Sequence, residues 1–311
     1  MLWMSFLLLA CGEKDSQDGN QIEDTGSAEN VDNTDDTNDT NDTDDTSDTS
    51  DTSDTEDPEN TDVDQDGVNA DQDCDDLNPW VSTDCNRACT GEFKIETNED
   101  LSLVAGCQSI EGDLNIDGID QNDLIALHSL ESVSGDLWFF RVTNLTNMHG
   151  LENLQSIGGG LIISYNDTLE NIDALASLNS IGETLTMTNN PLLSNLSGFS
   201  SLHTIGGSIL LDGLNITDLN GFSNVNTVGS SIYVSDCPSL TSLIGVSTSL
   251  QSFGEHESIG TYDPDYGLIE SLLYVYNNEA LCVAEIDATT AALENMGWEG
   301  RAIEFGNASC N

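Results

Sequence analysis

The sequence predicts a mainly β chain: a right-handed parallel β-solenoid with a short helical cap at its C-terminal end, carried behind a disordered acidic tether. Three observations lead there. Segments led by Ile110, Val133, Ile157, Ile181, Ile205 and Val228 recur every 23 or 24 residues, and a fixed period in the twenties marks stacked coils. Each recurrence holds one short alternating apolar run, such as Leu161 with Ile163 or Leu185 with Met187, which is the period of a strand. The chain carries 57 acidic residues against 5 basic ones, a formal charge of −52. Its first sixty residues hold few apolar side chains outside the leading ten.

Residues 1–10, "MLWMSFLLLA", are too short to span a bilayer, which takes about 20 apolar residues. They fit the apolar core of an export signal, although no Lys or Arg precedes the run. The "LLAC" that ends them resembles a bacterial lipobox. The resemblance implies that Cys11 carries a diacylglyceryl thioether and an acylated amine, and so becomes the mature N-terminus. Several chains anchor far better than one. Gly12 follows, where inner-membrane lipoproteins tend to place Asp, which points the anchor toward the outer membrane or cell surface of a bacterial envelope.

Residues 11–61 form the lipidated cysteine and a linker. "DTNDTNDTDDTSDTSDTSDTED" has almost nothing to bury, so ordering it is not offset by apolar burial. Like charges extend it, and fifty such residues reach about 40 Å on average. The charge also excludes nucleic acid as a partner, because Lys14, Arg87, Lys94, Arg141 and Arg301 cannot assemble a basic patch.

Residues 62–88 change pattern. Asp62, Asp64 and Asp66 alternate, Gly67 follows, and Asp73 occupies position 12 of the loop. Oxygen ligands at 1, 3 and 5, a turn glycine at 6 and a carboxylate at 12 suit Ca²⁺. Asp71, Asp75, Asp76 and Asn78 offer further oxygens, and Cys74 with Cys85 is placed to clip the module shut. About twenty residues here resemble the thrombospondin type 3 acidic repeats and the bacterial "DCDD" metal-binding motif. Asp replaces the usual bidentate Glu at position 12, and no helical pattern flanks the loop as in an EF-hand.

Residues 89–311 carry the repeats. Gly pairs before the strands suit a tight corner, and a second apolar pair closes each coil: Leu169 with Ile172, Leu193 with Leu196, Leu240 with Leu243. Stacking neighbours merges these faces into one core. A seventh turn begins at Phe253, is interrupted by "EHESIGTYDPDYGLIES" and resumes at "LLYVYNN". Asn166, Asn190, Cys237 and Asn278 share one offset, expected as a buried ladder whose side chains bond a turn backbone. Cys237 is therefore read as structural.

The recurring "L-x-S-I-G-G-x-L-x-I-x-x-N-x-x-L" and the opening "CTGEFKIETNEDLSLVAGCQSIEGDLNI" resemble the receptor L domain, the leucine-rich-repeat-like solenoid of insulin- and EGF-receptor ectodomains and of bacterial surface proteins. The resemblance covers roughly residues 89–311. It implies a Cys89–Cys107 disulfide at the N-terminal cap. Cys282 and Cys310 then flank "VAEIDATTAALENMGW", a helical pattern, and clip the C-terminal cap.

No catalytic pattern emerges. His128, His149, His203 and His256 lack metal-ligand spacing, and there is no G-x-S-x-G or phosphate loop. Binding is better supported. Beside the inward leucines, two columns point outward: Asn115, Trp138, Ile162, Thr186, Leu210, Tyr233, Tyr274, and Asp117, Phe140, Ser164, Thr188, Asp212, Ser235, Tyr276. Trp138, Phe140, Ile162, Leu210, Tyr233, Tyr274 and Tyr276 make a partner face for a protein or glycan. The expectation is a lipid-anchored adhesin- or receptor-like protein, touching the membrane through its anchor alone. A structural envelope spacer is the alternative, and a β-helix polysaccharide-active enzyme the remote one.

Overall fold

The computed structural model describes residues 65, 68, 72, 73, 87–254, 261–263, 267–269 and 271–310, with backbone alone for 261–263 and 267–269. Cys11, Asp62, Asp64, Asp66, Asp71, Asp75, Asp76, Cys74 and Cys85 lie outside the described residues, while Asp73 is half-buried. All described residues fall in one unit, Thr55–Asn311.

The chain winds through coils that each contribute one short and one longer strand. The first comprises β1 (Arg87–Thr90), β2 (Phe93–Ile95) and a 3-10 turn, Asn98–Leu103. Then follow β3 (Cys107–Glu111) with β4 (Leu114–Asp117), β5 (Ser132–Val133) with β6 (Leu137–Phe140), and β7 (Ser156–Ile157) with β8 (Leu161–Ser164). Next come β9 (Ser180–Ile181) with β10 (Leu185–Asn190), β11 (Thr204–Ile205) with β12 (Ile209–Leu214), and β13 (Thr227–Val228) with β14 (Ile232–Ser235). The helical turn α1 (Val246–Ser249) leads to β15 (Ser252–Phe253), the hairpin β16 (Thr261–Asp263) and β17 (Gly267–Ile269), and β18 (Leu272–Tyr276). Helix α2 (Val283–Asn295) and β19 (Arg301–Phe305) complete the chain.

Among the described residues the odd strands β1 to β15 form one 8-stranded sheet, and β2 through the even strands to β14, then β18 and β19, form a 9-stranded one. Both are parallel throughout. The register is the sequence repeat itself: Leu161, Leu185, Ile209, Ile232 and Leu273 lie side by side on adjacent strands, and each is 0% exposed. Burying each such side chain contributes roughly 1.5–3 kcal/mol. Phe199 and Phe222, from the turns of adjacent coils, stack at 5.6 Å inside the same core.

One physical reason differs from that read in sequence. The corner glycines Gly158, Gly182 and Gly206 do not serve positive φ. A Cβ on Gly182 would stand 2.0 Å from the Gly158 carbonyl oxygen, and one on Gly206 2.0 Å from that of Gly182. Backbone of adjacent coils approaches too closely for any side chain. Left-handed backbone recurs at the C-terminal ends of the long strands, at Gly118, Arg141, Tyr165, Asn189, Gly213, Asp236, Asn277 and Gly306, with φ between 50° and 70°. This kink aims the next residue of each coil inward.

That next residue is the ladder. Asn166, Asn190, Cys237 and Asn278 are 0% exposed. Asn190 Oδ1 accepts from Asn166 N at 3.1 Å while its Nδ2 donates to Ile163 O at 2.9 Å. Asn278 repeats this with Cys237 N (3.0 Å) and Val234 O (3.0 Å). Asn307 adds a rung absent from the sequence reading, accepting from Asn278 N at 3.1 Å and donating to Val275 O at 2.9 Å.

Both ends are closed. At the N-terminal end, Cys89 and Cys107 form a disulfide with Cα atoms 5.7 Å apart, and the Arg87 guanidinium donates to the Leu103 and Ala105 carbonyls at 3.0 Å. At the other end, Ile286 and Leu293 of α2 are buried. Trp298 packs on Phe253 at 5.2 Å and donates through Nε1 to Ser271 Oγ at 2.6 Å. Cys282 and Cys310 are joined, Cα atoms 5.4 Å apart.

Candidate binding face

The outer face of the 9-stranded sheet is set by strand alternation. With Leu137 and Phe139 inward at 0% exposure, Trp138 must point out, and it is 38% exposed. Ile162, Leu210, Tyr233, Tyr274, Phe140 and Tyr276 are half-buried in the same two columns. The register runs Asn115, Trp138, Ile162, Thr186, Leu210, Tyr233, Tyr274 across neighbouring strands. The seven residues therefore share one face but divide into two groups.

The first group surrounds Phe140. Tyr165 meets its ring edge-on at 5.3 Å, and the Arg141 guanidinium lies 4.4 Å from its centroid. Arg141 also donates to Asp117 at 3.0 Å. Tyr165 and Arg141 occupy the left-handed rim position with φ of 59° and 53°. For residues other than Gly, Asn and Asp that conformation costs on the order of 1–2 kcal/mol, and it projects both side chains over the face. Beside Trp138 in register, Asn115 Oδ1 is buried and accepts no hydrogen bond among the described residues.

The second group is a continuous aromatic wall. Tyr233 contacts Tyr274 at 5.9 Å, Tyr274 meets Tyr276 at 5.0 Å, and Tyr276 stacks on Phe305 at 5.1 Å. Burial, with Tyr276 and Tyr233 adjacent, raises the Tyr274 phenol above its ordinary range. Phe305, 48% exposed, was not a sequence candidate. It belongs to β19, which lies outside the coil period and reverses the apolar pattern: Ile303 and Phe305 align with outward Tyr274 and Tyr276, and Glu304 with inward Val275. Read alone, "RAIEF" buries the wrong residues.

The second column holds a correction. Ser164 and Ser235 point outward but are only 4% exposed. Thr188 Oγ1 donates to Ser164 Oγ at 2.8 Å, and Ser235 Oγ donates to Asp212 Oδ1. Their short side chains sit below the level of the larger neighbours. Burial pushes the Asp212 carboxyl above the usual carboxylate range, against the Ser235 hydrogen bond and with the nearby Asp236 carboxylate.

Beneath these acids lies Cys237. Burial pushes its thiol up to about 12, and Sγ donates to Ser235 O at 3.2 Å. A thiol so protonated is a ladder residue and a poor nucleophile. Of the histidines, His149 contacts Glu152 at 2.7 Å and His203 contacts Ser201 O at 2.6 Å. Among the described residues no three His, Cys, Asp or Glu side chains gather as a metal site. The opposite, 8-stranded sheet bears a groove of about 440 Å³ lined by Ser132, Ser134, Ser156, Ser180 and glycine backbone.

Residues 106–193 match the family model of the Receptor L domain. No curated protein and no solved structure matches the chain. The matched segment runs from the turn before β3 to three residues past β10, and it includes the coils that present Trp138, Phe140 and Tyr165.

Proposed function

We propose that this protein is a lipid-anchored recognition protein of the bacterial cell surface, which captures a protein partner on the outer face of its long parallel sheet. The observation that carries this is the rim. Tyr165 and Arg141 hold left-handed backbone where other coils place Gly, Asn or Asp. That strain returns nothing to the core, since both side chains are exposed. Strain kept at an exposed position fits a binding role, and the Receptor L domain match over the same coils supports a receptor-like one. Cys11 would supply the anchor, and the acidic linker would hold the solenoid away from the membrane. No catalytic step belongs to this reading. The test is Trp138→Asp and Tyr233→Asp in a pull-down from the organism's own surroundings. Each variant should lose the captured partner while keeping its circular-dichroism spectrum. Undiminished capture by both would sink the reading.

The loop from Asp62 to Asp76 is proposed to bind Ca²⁺ and to stiffen the junction between linker and solenoid. Asp62, Asp64, Asp66 and Asp73 are the first ligands, by the spacing rule. EGTA should speed proteolysis at this junction and leave the melting of the solenoid unchanged. Cleavage at one rate with and without calcium would remove the metal.

A further inference from the structure

The two halves of the outer face differ in charge, and the difference selects a ligand. Near Trp138 the basic side chains are already matched: Lys94 pairs with Glu96 and Arg141 with Asp117. In the other half, register sets Asp212, Ser235, Tyr276 and Phe305 on successive strands. Adjacent strands lie about 4.8 Å apart, so the row is roughly 14 Å long. Asp236 stands at its rim, on left-handed backbone that turns it outward, with its amide donating to the Tyr276 carbonyl at 3.3 Å. Asp212 is half-buried and Asp236 exposed. Arg301, the nearest basic residue of the sheet, starts β19 four residues before Phe305, roughly 13 Å along the strand.

Among the described residues no hydrogen bond fixes the hydroxyls of Tyr233, Tyr274 or Tyr276. What remains is a four-ring surface beside two neighbouring carboxylates, on a chain of net charge −52. Ring faces attract cations through their quadrupole. A lysine or arginine stem lies flat on such rings while its head reaches a carboxylate. A neutral glycan stacks on the rings as well but draws nothing from the acids. A second copy of this chain is repelled.

We propose that the wall of Tyr233, Tyr274, Tyr276 and Phe305, with Asp212 and Asp236, is a docking site for a basic polypeptide segment whose Lys or Arg side chains lie across the rings and end at the two carboxylates. This rests on the outer-face reading above and names its ligand chemistry. The site occupies the opposite half of that same face from the Trp138 group.

The test uses the full chain and fluorescence anisotropy with a labelled peptide of alternating lysine and glycine, its glutamate counterpart, and a soluble neutral β-glucan. The acidic linker attracts the lysine peptide too, so the site is read from variants. Tyr276→Ala with Phe305→Ala should weaken lysine-peptide binding about tenfold, from the loss of two ring contacts. Asp212→Asn with Asp236→Asn should weaken it by a similar factor and flatten its salt dependence. Tyr276→Phe should bind as the parent does. If both double variants bind like the parent, the linker carries all the binding and the inference falls. If the glucan binds and the ring variant abolishes that binding alone, the cationic ligand is wrong while the outer face stands. Should the ring variant lose its folded spectrum, the Asp-to-Asn pair decides by itself: an unchanged Kd overturns the site.

Discussion

Replacing Asn190 by leucine tests whether the buried ladder holds the coils together. The side chain is 0% exposed. Its Oδ1 accepts from Asn166 N at 3.1 Å, and its Nδ2 donates to Ile163 O at 2.9 Å. Leucine, with the same number of side-chain heavy atoms and somewhat greater bulk, opens no cavity but removes both partners. Each buried backbone group left unsatisfied costs about 1–3 kcal/mol, so Asn190→Leu should lose roughly 2–6 kcal/mol. For a domain of this size, at about 2–4 °C per kcal/mol, that lowers Tm by on the order of 4–24 °C. The measurement is urea and thermal unfolding followed by circular dichroism, with Asn189→Gly as control. Asn189 adjoins it on left-handed backbone at φ 54°, where glycine is at ease, and should shift stability by less than about 0.5 kcal/mol. The protein itself offers the contrast. Leu214 takes the ladder position one coil on, and there the strands stay paired through Asn190 and Leu214. If Asn190→Leu melts with the control, the coils close by strand extension alone and the ladder argument is refuted.

The end staples should matter independently. Cys89 and Cys107 close a loop with sequence separation 18, so Cys89→Ser with Cys107→Ser should cost about 3 kcal/mol from loop entropy; a change below about 1 kcal/mol in denaturant midpoint analysis would contradict this. Cys237, its thiol raised to about 12 by burial, should not react with a thiol reagent at pH 8 until the protein unfolds. The sign of its pH effect follows. Below the unfolded thiol's pKa, about 8.5, folded and unfolded chains both keep the proton. Above it the unfolded chain releases the proton and the folded chain holds it, so stability falls from about pH 8.5 to 12. Cys237→Ser should show a shallower alkaline decline than the parent.

The repeat was legible because every coil meets the same surroundings. Leu161, Leu185 and Ile209 each face the core of a neighbour shaped like their own, so spacing in the chain becomes register in the sheet. The ladder positions followed from the same offset. What sequence left out is what does not repeat. Strands β1 and β2 form a first coil with too few apolar positions to show a period. Strand β19 and Asn307 follow α2 in the chain and join the stack outside the coil period.

The outer columns were assigned by alternation, yet alternation fixes direction and not height. Ser164 and Ser235 point outward beneath larger neighbours, and Phe305 stands on the wall because its backbone pairs with β18. Sequence by itself determined the coil, its greasy interior and the columns that face away from it, since these need only local periodicity and the repetition of one environment. The tertiary structure alone decided which outward side chains meet, that Tyr165 and Arg141 are held in left-handed backbone, and that two carboxylates stand beside four rings. Those contacts depend on side-chain reach and on the strand that follows α2, which periodicity does not encode.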